Sequence, residues 1–125
     1  MILKLDFLEI IVQDLNQAIE WYKKVLELYP EGEVVSNEEG RWVRLCSNSG
    51  DDVIALWEAQ IKPTDETKIN SNFVPVFITN DLVSDVERIK ELGFVFEEGI
   101  REREQYRITT IKDCSGNLIQ LYESK

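Results

Sequence analysis

Phe7-Leu8-Glu9-Ile10-Ile11-Val12-Gln13-Asp14 runs directly into Leu15-Asn16-Gln17-Ala18-Ile19-Glu20-Trp21-Tyr22-Lys23-Lys24-Val25-Leu26. Leu5–Val12 is almost all apolar and β-branched, the composition of a strand. Asp14 suits a helix N-cap, and Gln17 three residues later completes a capping-box pattern. Beyond it, Ala18, Ile19, Tyr22, Val25 and Leu26 share one stripe at helical spacing. Gln17, Glu20, Lys23 and Lys24 fall on the wet side. Pro30 stops the helix near Leu28, because proline excludes the helical conformation just ahead of it. The stretch is a strand feeding a capped helix.

The same order restarts at Phe73. Phe73-Val74-Pro75-Val76-Phe77-Ile78 reads as a strand. Asp81 or Asn80 caps a helix with Leu82, Val86, Ile89 and Leu92 on its stripe, and Gly93 suits the left-handed position past its end. After the first helix, the polar segment Glu31–Gly40 holds Val34-Val35, a short strand. Arg41–Cys46 and Val53–Glu58 then form a hairpin around the turn-forming Ser47–Asp52. After the second helix come a short strand at Phe94–Phe96, a mixed-charge loop at Arg101–Gln105 and a strand at Tyr106–Lys112. The turn Asp113–Asn117 leads to a last strand, Leu118–Glu123. Phe7 and Phe73, Asp14 and Asp81, and Ala55 and Gln120 correspond at offsets of 66, 67 and 65 residues.

Each half therefore reads β-α-β-β-β, and the expected fold is α+β. Two tandem βαβββ modules form cupped mixed β-sheets with helices outside. Residues 1–125 make one domain, with a first module at 1–59, a linker at 60–72 and a second module at 73–125. One helix covers only one face of such a sheet, so two halves are expected to pair.

At 125 residues the chain can bury a real core, and its balance of 43% hydrophobic and 30% charged residues is that of a soluble globular protein. No apolar run approaches a membrane span, and Met1–Asp6 does not have the form of a signal peptide. The expected location is the cytoplasm. Fourteen basic and 24 acidic residues leave a net charge of −10. Such a surface repels phosphate backbones, so nucleic acid is not an expected partner. It keeps the protein soluble and could also attract a cationic small molecule. Cys46 and Cys114 lack metal-type spacing and are expected to be reduced. Histidine is absent, which removes the commonest general base and metal ligand, and with them Ser-His-Asp and Cys-His machinery.

Glu9–Asp14 leading into Ala18–Tyr22 and Leu26, together with Asp113-Cys114-Ser115-Gly116-Asn117 followed by Leu118–Glu123, resembles the vicinal-oxygen-chelate superfamily. This is the glyoxalase/bleomycin-resistance/dioxygenase family. The resemblance covers nearly the whole chain, with Cys114 where the family's ending usually has proline. It implies a divalent metal at the centre of a cupped sheet, held by His and Glu from the first and last strands of each half. The matching positions here are Phe7, Ala55, Phe73 or its neighbour Val74, and Gln120. Three offer no donor atom and the fourth a weak neutral oxygen, so neither metal nor cofactor is expected, and the family's metal chemistry is not carried over.

Strand alternation indicates what shares the cup. With Phe7 facing in, Glu9 and Ile11 follow, while Leu8, Ile10 and Val12 pack under the helix. Val53, Ala55 and Trp57 face in from the fourth strand, and Trp42 and Arg44 from the third, where Val43 and Leu45 suit the core. Phe73, Pro75 and Phe77, then Leu118, Gln120 and Tyr122, face in from the second half. Tyr106 and Arg107 lie nearby with unresolved parity. Phe7, Glu9, Trp42, Arg44, Ala55, Trp57, Phe73, Arg107, Gln120 and Tyr122 are thus the candidate ligand-binding residues. The aromatics either wall a small-molecule pocket or fill the interior. Glu9, if buried, pairs with Arg44 or Arg107, or acts as a base. Glu58 and Glu123 end their strands and are expected to be solvated. Arg101–Gln105 is a surface loop or a lid.

Two functions follow. One is a metal-free binding protein resembling the bleomycin-resistance type, a small acidic homodimer that sequesters a cationic or aromatic ligand. The other is an enzyme (lyase, isomerase or dioxygenase-like) with a rebuilt site, Glu9 as base and an arginine stabilising an oxyanion. A protein that uses its sheet edge or cup for partner contact is a third.

Overall fold

The computed structural model describes residues 1–59 and 73–125. The chain divides into two compact units, Met1–Ile69 and Asn70–Lys125. The first holds β1 (Leu8–Ile11), α1 (Leu15–Leu26), β2 (Tyr29–Asn37), β3 (Gly40–Cys46) and β4 (Asp52–Ala59). The second holds β5 (Val76–Ile78), α2 (Leu82–Glu91), β6 (Arg101–Glu102), β7 (Tyr106–Lys112) and β8 (Leu118–Ser124). The sheets have the same topology, β1-β4-β3-β2 and β5-β8-β7-β6. In each, the first strand runs parallel to the last and the other pairings are antiparallel. The expected linker at 60–72 and the side chain of Val53 lie outside the described residues.

One face of each sheet is sealed by its own helix. In the first unit Ile10, Val43, Leu45, Ile54 and Leu56 are buried, as are Leu15, Ala18, Trp21, Tyr22 and Val25 of α1. Each fully buried aliphatic side chain contributes about 1.5–3 kcal/mol. Trp21 meets Tyr22 edge-on at 4.9 Å; Leu15 and Trp21 are buried while Ile19 and Leu26 of the expected stripe are only half-buried, so the buried face is rotated about the helix from the expected one. In the second unit Leu82, Val86 and Ile89 of α2 are buried, as are Thr109, Ile111, Ile119 and Leu121 of the sheet. Leu92, expected on the stripe, is exposed beyond the last turn.

Both helices start as their sequences dictate. Asp14 Oδ1 accepts the Gln17 N–H and Asp81 Oδ1 accepts the Ser84 N–H, each at 3.0 Å. Their ends differ. Gly93 takes the left-handed turn after α2 at φ 95°, whereas Glu27 is forced into it at φ 56° after α1. The Asp113–Asn117 turn is built around a buried aspartate, whose Oδ1 accepts the N–H groups of Ser115 and Asn117.

Two strands differ from expectation. β2 is nine residues long rather than a short strand at Val34-Val35, and it is exposed throughout, with a register break between Glu31 and Val35. An edge strand packed on neither side carries no hydrophobic alternation to betray it. Phe94–Phe96 forms no strand, only one bridge from Phe96 to Ile111. The second strand of the second module is instead β6, inside the expected Arg101–Gln105 loop, where Glu102 pairs across to Arg107. Cys46 and Cys114 are unbridged. Among the described residues no helix is long and apolar enough to cross a membrane.

Candidate functional site

The face of the first sheet turned away from α1 gathers six of the expected residues. Register aligns Glu9 on β1, Ala55 on β4, Arg44 on β3 and Glu31 on β2 in one row. The next row is Ile11, Trp57, Trp42 and Val35. Phe7 enters just before β1. With strands about 4.8 Å apart, the backbones at Glu9 and Arg44 stand about 10 Å apart, with only Ala55 between them.

That gap is bridged by Arg44. Its guanidinium lies 4.3 Å over the Phe7 ring, and its Nη2 donates to Asp6 Oδ2 at 2.6 Å. Because β4 separates β3 from β1, the side chain must cross Ala55 to get there. Ala55 is 0% exposed although it faces away from the helix, and a larger side chain would block the crossing. Trp57 donates its indole N–H to the Glu39 carbonyl at 3.1 Å, which fixes the ring across β3 toward the β2–β3 turn. Cys46 Sγ donates to Glu31 Oε2 at 3.0 Å. Asp6 falls within the expected strand Leu5–Val12, but β1 begins only at Leu8, and nothing in its sequence context marks it as a partner of Arg44.

Glu9 differs from expectation. It is exposed, and its backbone lies in the ladder with Ala55. β1 is an edge strand, so the carboxylate reaches water and needs no buried partner. The two arginines considered for it are engaged elsewhere, Arg44 with Asp6 and Arg107 with Glu102 and Glu123.

The second sheet corrects three placements. Val76, Phe77 and Ile78 pair with Gln120, Leu121 and Tyr122. Leu121 is buried toward α2, so Phe77 faces the helix rather than the open side, and Pro75 shares its parity. Val76 and Ile78 share the open face with Gln120 and Tyr122, and both are exposed. Counting back, the counterpart of Phe7 is Val74; Phe73 stands ahead of β5 and is exposed. On β7, Thr109 and Ile111 are buried toward α2, which puts Arg107 on the helix side and Tyr106 on the open side. Tyr106 stacks on Tyr122 at 5.4 Å and 29°. Arg107 therefore does not share a face with Gln120.

Arg107 belongs to a device that occurs in both modules. Glu123 accepts the first helical N–H of α2, from Leu82, at 3.1 Å on Oε1, and Arg107 Nη1 at 2.8 Å on Oε2. Glu58 accepts the Leu15 N–H of α1 at 2.7 Å and faces Arg41 at 3.8 Å. Both glutamates, expected in solvent, tie the last strand of a module to the start of its helix. The hydrogen bond from Glu123, then that from Glu102, raises the Arg107 pKa above its ordinary value. The Lys125 ammonium, then Arg107, holds the Glu102 carboxyl below the usual range. The Ser84 backbone N–H lowers Asp81.

At the positions where the family's fold implies a metal, Phe7 and Ala55 supply no donor in the first module, and in the second Val74 supplies none and Gln120 an amide. No group of three or more Asp, Glu, Cys or His side chains is gathered among the described residues. This donor set does not fit a divalent ion. Elsewhere in the second unit, an open groove of about 620 Å³ follows the chain after α2, lined by Lys90, Phe94, Val95, Phe96, Glu97 and Glu98. None of the expected site residues borders it.

The model of the Glyoxalase/Bleomycin resistance protein/Dioxygenase superfamily matches residues 4–121. The fold is similar to that of an antibiotic binding protein from Streptomyces, at TM-score 0.81 and 20% identity over 99% of this chain and 98% of that one. It is similar to a fosfomycin resistance protein from Listeria monocytogenes, at 0.71 and 21% over 100% and 96%. It is also similar to a virulence protein from Salmonella typhimurium, at 0.69 and 23% over 98% of both chains. Among curated proteins there is no sequence match.

Proposed function

The chain belongs to the Glyoxalase/Bleomycin resistance protein/Dioxygenase superfamily, and from that premise we propose that it binds a planar aromatic small molecule without the help of a divalent metal. The carrying observation is the open face of the first sheet, where Trp42 and Trp57 are register partners one row from Arg44, whose guanidinium lies over the Phe7 ring. Half-buried aromatic side chains beside a few fixed polar heads are the composition of a ligand site, and each ring stacked on a ligand contributes on the order of 1 kcal/mol. The poor donor set at Phe7, Ala55, Val74 and Gln120 supports metal independence. An antibiotic binding protein built on the same fold supports sequestration as the use. An enzyme built on Glu9 would need that carboxylate buried, and it is exposed. The cytoplasm as its place and a homodimer as its working form belong to the same proposal.

The test is calorimetric titration of the chelator-treated protein with naphthalene-sized aromatics. Micromolar binding that Mn²⁺, Ni²⁺ or Zn²⁺ leaves unchanged is expected. Binding that appears only on adding one of these ions would overturn the metal-free assignment. Light scattering at twice the 14.6 kDa chain mass is expected for the homodimer, and a single-chain mass at micromolar concentration would refute it.

A further inference from the structure

The groove that follows α2 sets a lysine beside an apolar wall. Phe94 and Phe96 are half-buried along it, and Val95 between them is 82% exposed. The wall is fixed to the second sheet. Phe96 bridges Ile111, Glu97 donates its N–H to the Thr110 carbonyl at 2.9 Å, and Thr109 donates its hydroxyl to the Glu98 carbonyl at 2.9 Å. Gly93 and Gly99 bound this run, and a Cβ on either would meet nothing within 4 Å. The volume of about 620 Å³ falls inside the range of small-molecule sites, about 300–1,000 Å³.

Charge decides what such a groove takes. Its two glutamates each have a cation of their own. Lys112 Nζ stands 3.7 Å from Glu97 Oε2, and Arg101 Nε stands 3.1 Å from Glu98 Oε1, which also accepts the Thr110 hydroxyl at 3.0 Å. The Lys90 ammonium has no ion-pair partner among the described residues. A lysine in the last turn of a helix often turns back to the open carbonyls. Here those of Arg88, Ile89 and Lys90 already accept the N–H groups of Leu92, Phe94 and Gly93. The exposed Glu87 and Glu91 of α2 do not line the groove. One unmatched positive charge therefore remains beside the apolar wall.

We propose that this groove binds an amphiphilic carboxylate, with its aryl or alkyl tail along Phe94, Val95 and Phe96 and its carboxylate on Lys90. The site is separate from the tryptophan face of the first sheet and does not rest on it. An ammonium on a flexible stem meets an anion as a point charge, without the fixed fork of a guanidinium. An exposed pair of this kind is modest in strength, so the apolar wall supplies most of the affinity and Lys90 sets the preference for an anion. The net charge of −10 does not forbid it, because beyond about 8 Å that field is screened at physiological ionic strength.

The experiment maps amide chemical shifts of the ¹⁵N-labelled protein during titration with 4-phenylbutyrate, neutral 4-phenylbutyramide and 4-phenylbutylammonium. Saturable shifts at Lys90 and residues 93–99 are expected, with phenylbutyrate bound about two- to fivefold more tightly than the amide, the range of an exposed ion pair, and the ammonium bound most weakly. Lys90→Met should bring phenylbutyrate to the affinity of the amide. Gly99 lies outside the left-handed region, so Gly99→Leu fills the groove without backbone strain and should remove binding of all three. Val95→Asp, at an exposed position, should weaken all three as well, and phenylbutyrate most. Equal affinity for phenylbutyrate and its amide in wild type would overturn the role of Lys90. Shifts confined to residues 42–57, or no shift at 93–99 with any probe at millimolar concentration, would overturn the groove as a site and leave the tryptophan face to its own test. Undiminished binding in Val95→Asp would overturn it even where Gly99→Leu does not fold.

Discussion

Replacing Glu123 with Ala leaves the Leu82 amide without its acceptor. That amide opens α2, Leu82 is 0% exposed, and the hydrogen bond is 3.1 Å long in buried surroundings, so water is poorly placed to substitute. An unsatisfied buried donor costs about 1–3 kcal/mol, and we expect about 2 kcal/mol for Glu123→Ala. The equivalent Glu58→Ala should cost about 1 kcal/mol, near the middle of the range for lost helix caps. Its carboxylate is 29% exposed and its arginine stands at 3.8 Å, so solvent compensates. Glu123→Gln keeps an oxygen for the Leu82 amide and should cost less than half of the alanine change. Urea unfolding measures all three as midpoint shifts at a shared slope. A Glu58→Ala loss equal to or larger than that of Glu123→Ala, or a Glu123→Gln loss equal to that of Glu123→Ala, would refute the assignment of these glutamates as graded helix clamps.

Four further outcomes are expected. Ala55→Leu obstructs the path of Arg44 to Phe7 and should cost about 1–3 kcal/mol by overpacking, read as a lower urea midpoint; a neutral result would mean the side chain does not cross there. Glu27→Gly relieves the left-handed residue at φ 56° and should stabilise by up to about 1 kcal/mol, seen as a raised Tm. Trp57→Phe removes the hydrogen bond to the Glu39 carbonyl and should cost about 0.5–1.5 kcal/mol, with loss of its share of the tryptophan emission. Glu102 has a folded-state pKa below its ordinary value because of Lys125 and Arg107. Its contribution is therefore complete above the usual carboxylate range and lost as pH falls through and below about 4.5. Urea midpoints of wild type and Glu102→Gln should differ at pH 6 and converge toward pH 3; a constant gap across that range would contradict the linkage.

What could be read in advance depended on whether burial leaves a period in the chain. Val43 and Leu45, and Ile54 and Leu56, alternate with open-face residues because one side of the sheet is sealed by α1 and the other is not. Asp14 and Asp81 were legible as caps because the helix N-terminus needs a local acceptor within three residues. β5 defeated the same reasoning. Phe73-Val-Pro-Val-Phe-Ile78 is apolar at every position, so alternation says nothing about which side faces α2, and the module offset of 66 rather than 67 put Phe77 on the wrong face. Tyr106 and Arg107 are both amphipathic and fit either side of a strand until Thr109 and Ile111 are seen to be buried. Glu58 and Glu123 reach partners 43 and 41 residues away, and no local pattern reports such a contact. Asp6 was read as part of the first strand, which begins only at Leu8, and its partner Arg44 lies 38 residues away.

β2, with Pro30, Gly32 at φ 74°, three glutamates or prolines in its first five residues and a broken register against β3, has a bearing on self-association. A regular exposed edge strand is a template for a further strand from another molecule, and proline, acidic side chains and a bulge each spoil that template. At the matching edge of the second sheet, β6 is only two residues long and fully charged. The two outer edges are thereby blunted in different ways, one by irregularity and one by brevity. The opposite edges, β1 and β5, are short as well, but they carry exposed Leu8, Val76 and Ile78 and run in unbroken register with β4 and β8. Any strand added to this chain is directed to the β1 and β5 side, so that growth from copy to copy through both edges of one sheet, the route to fibrils, is closed at one end in each.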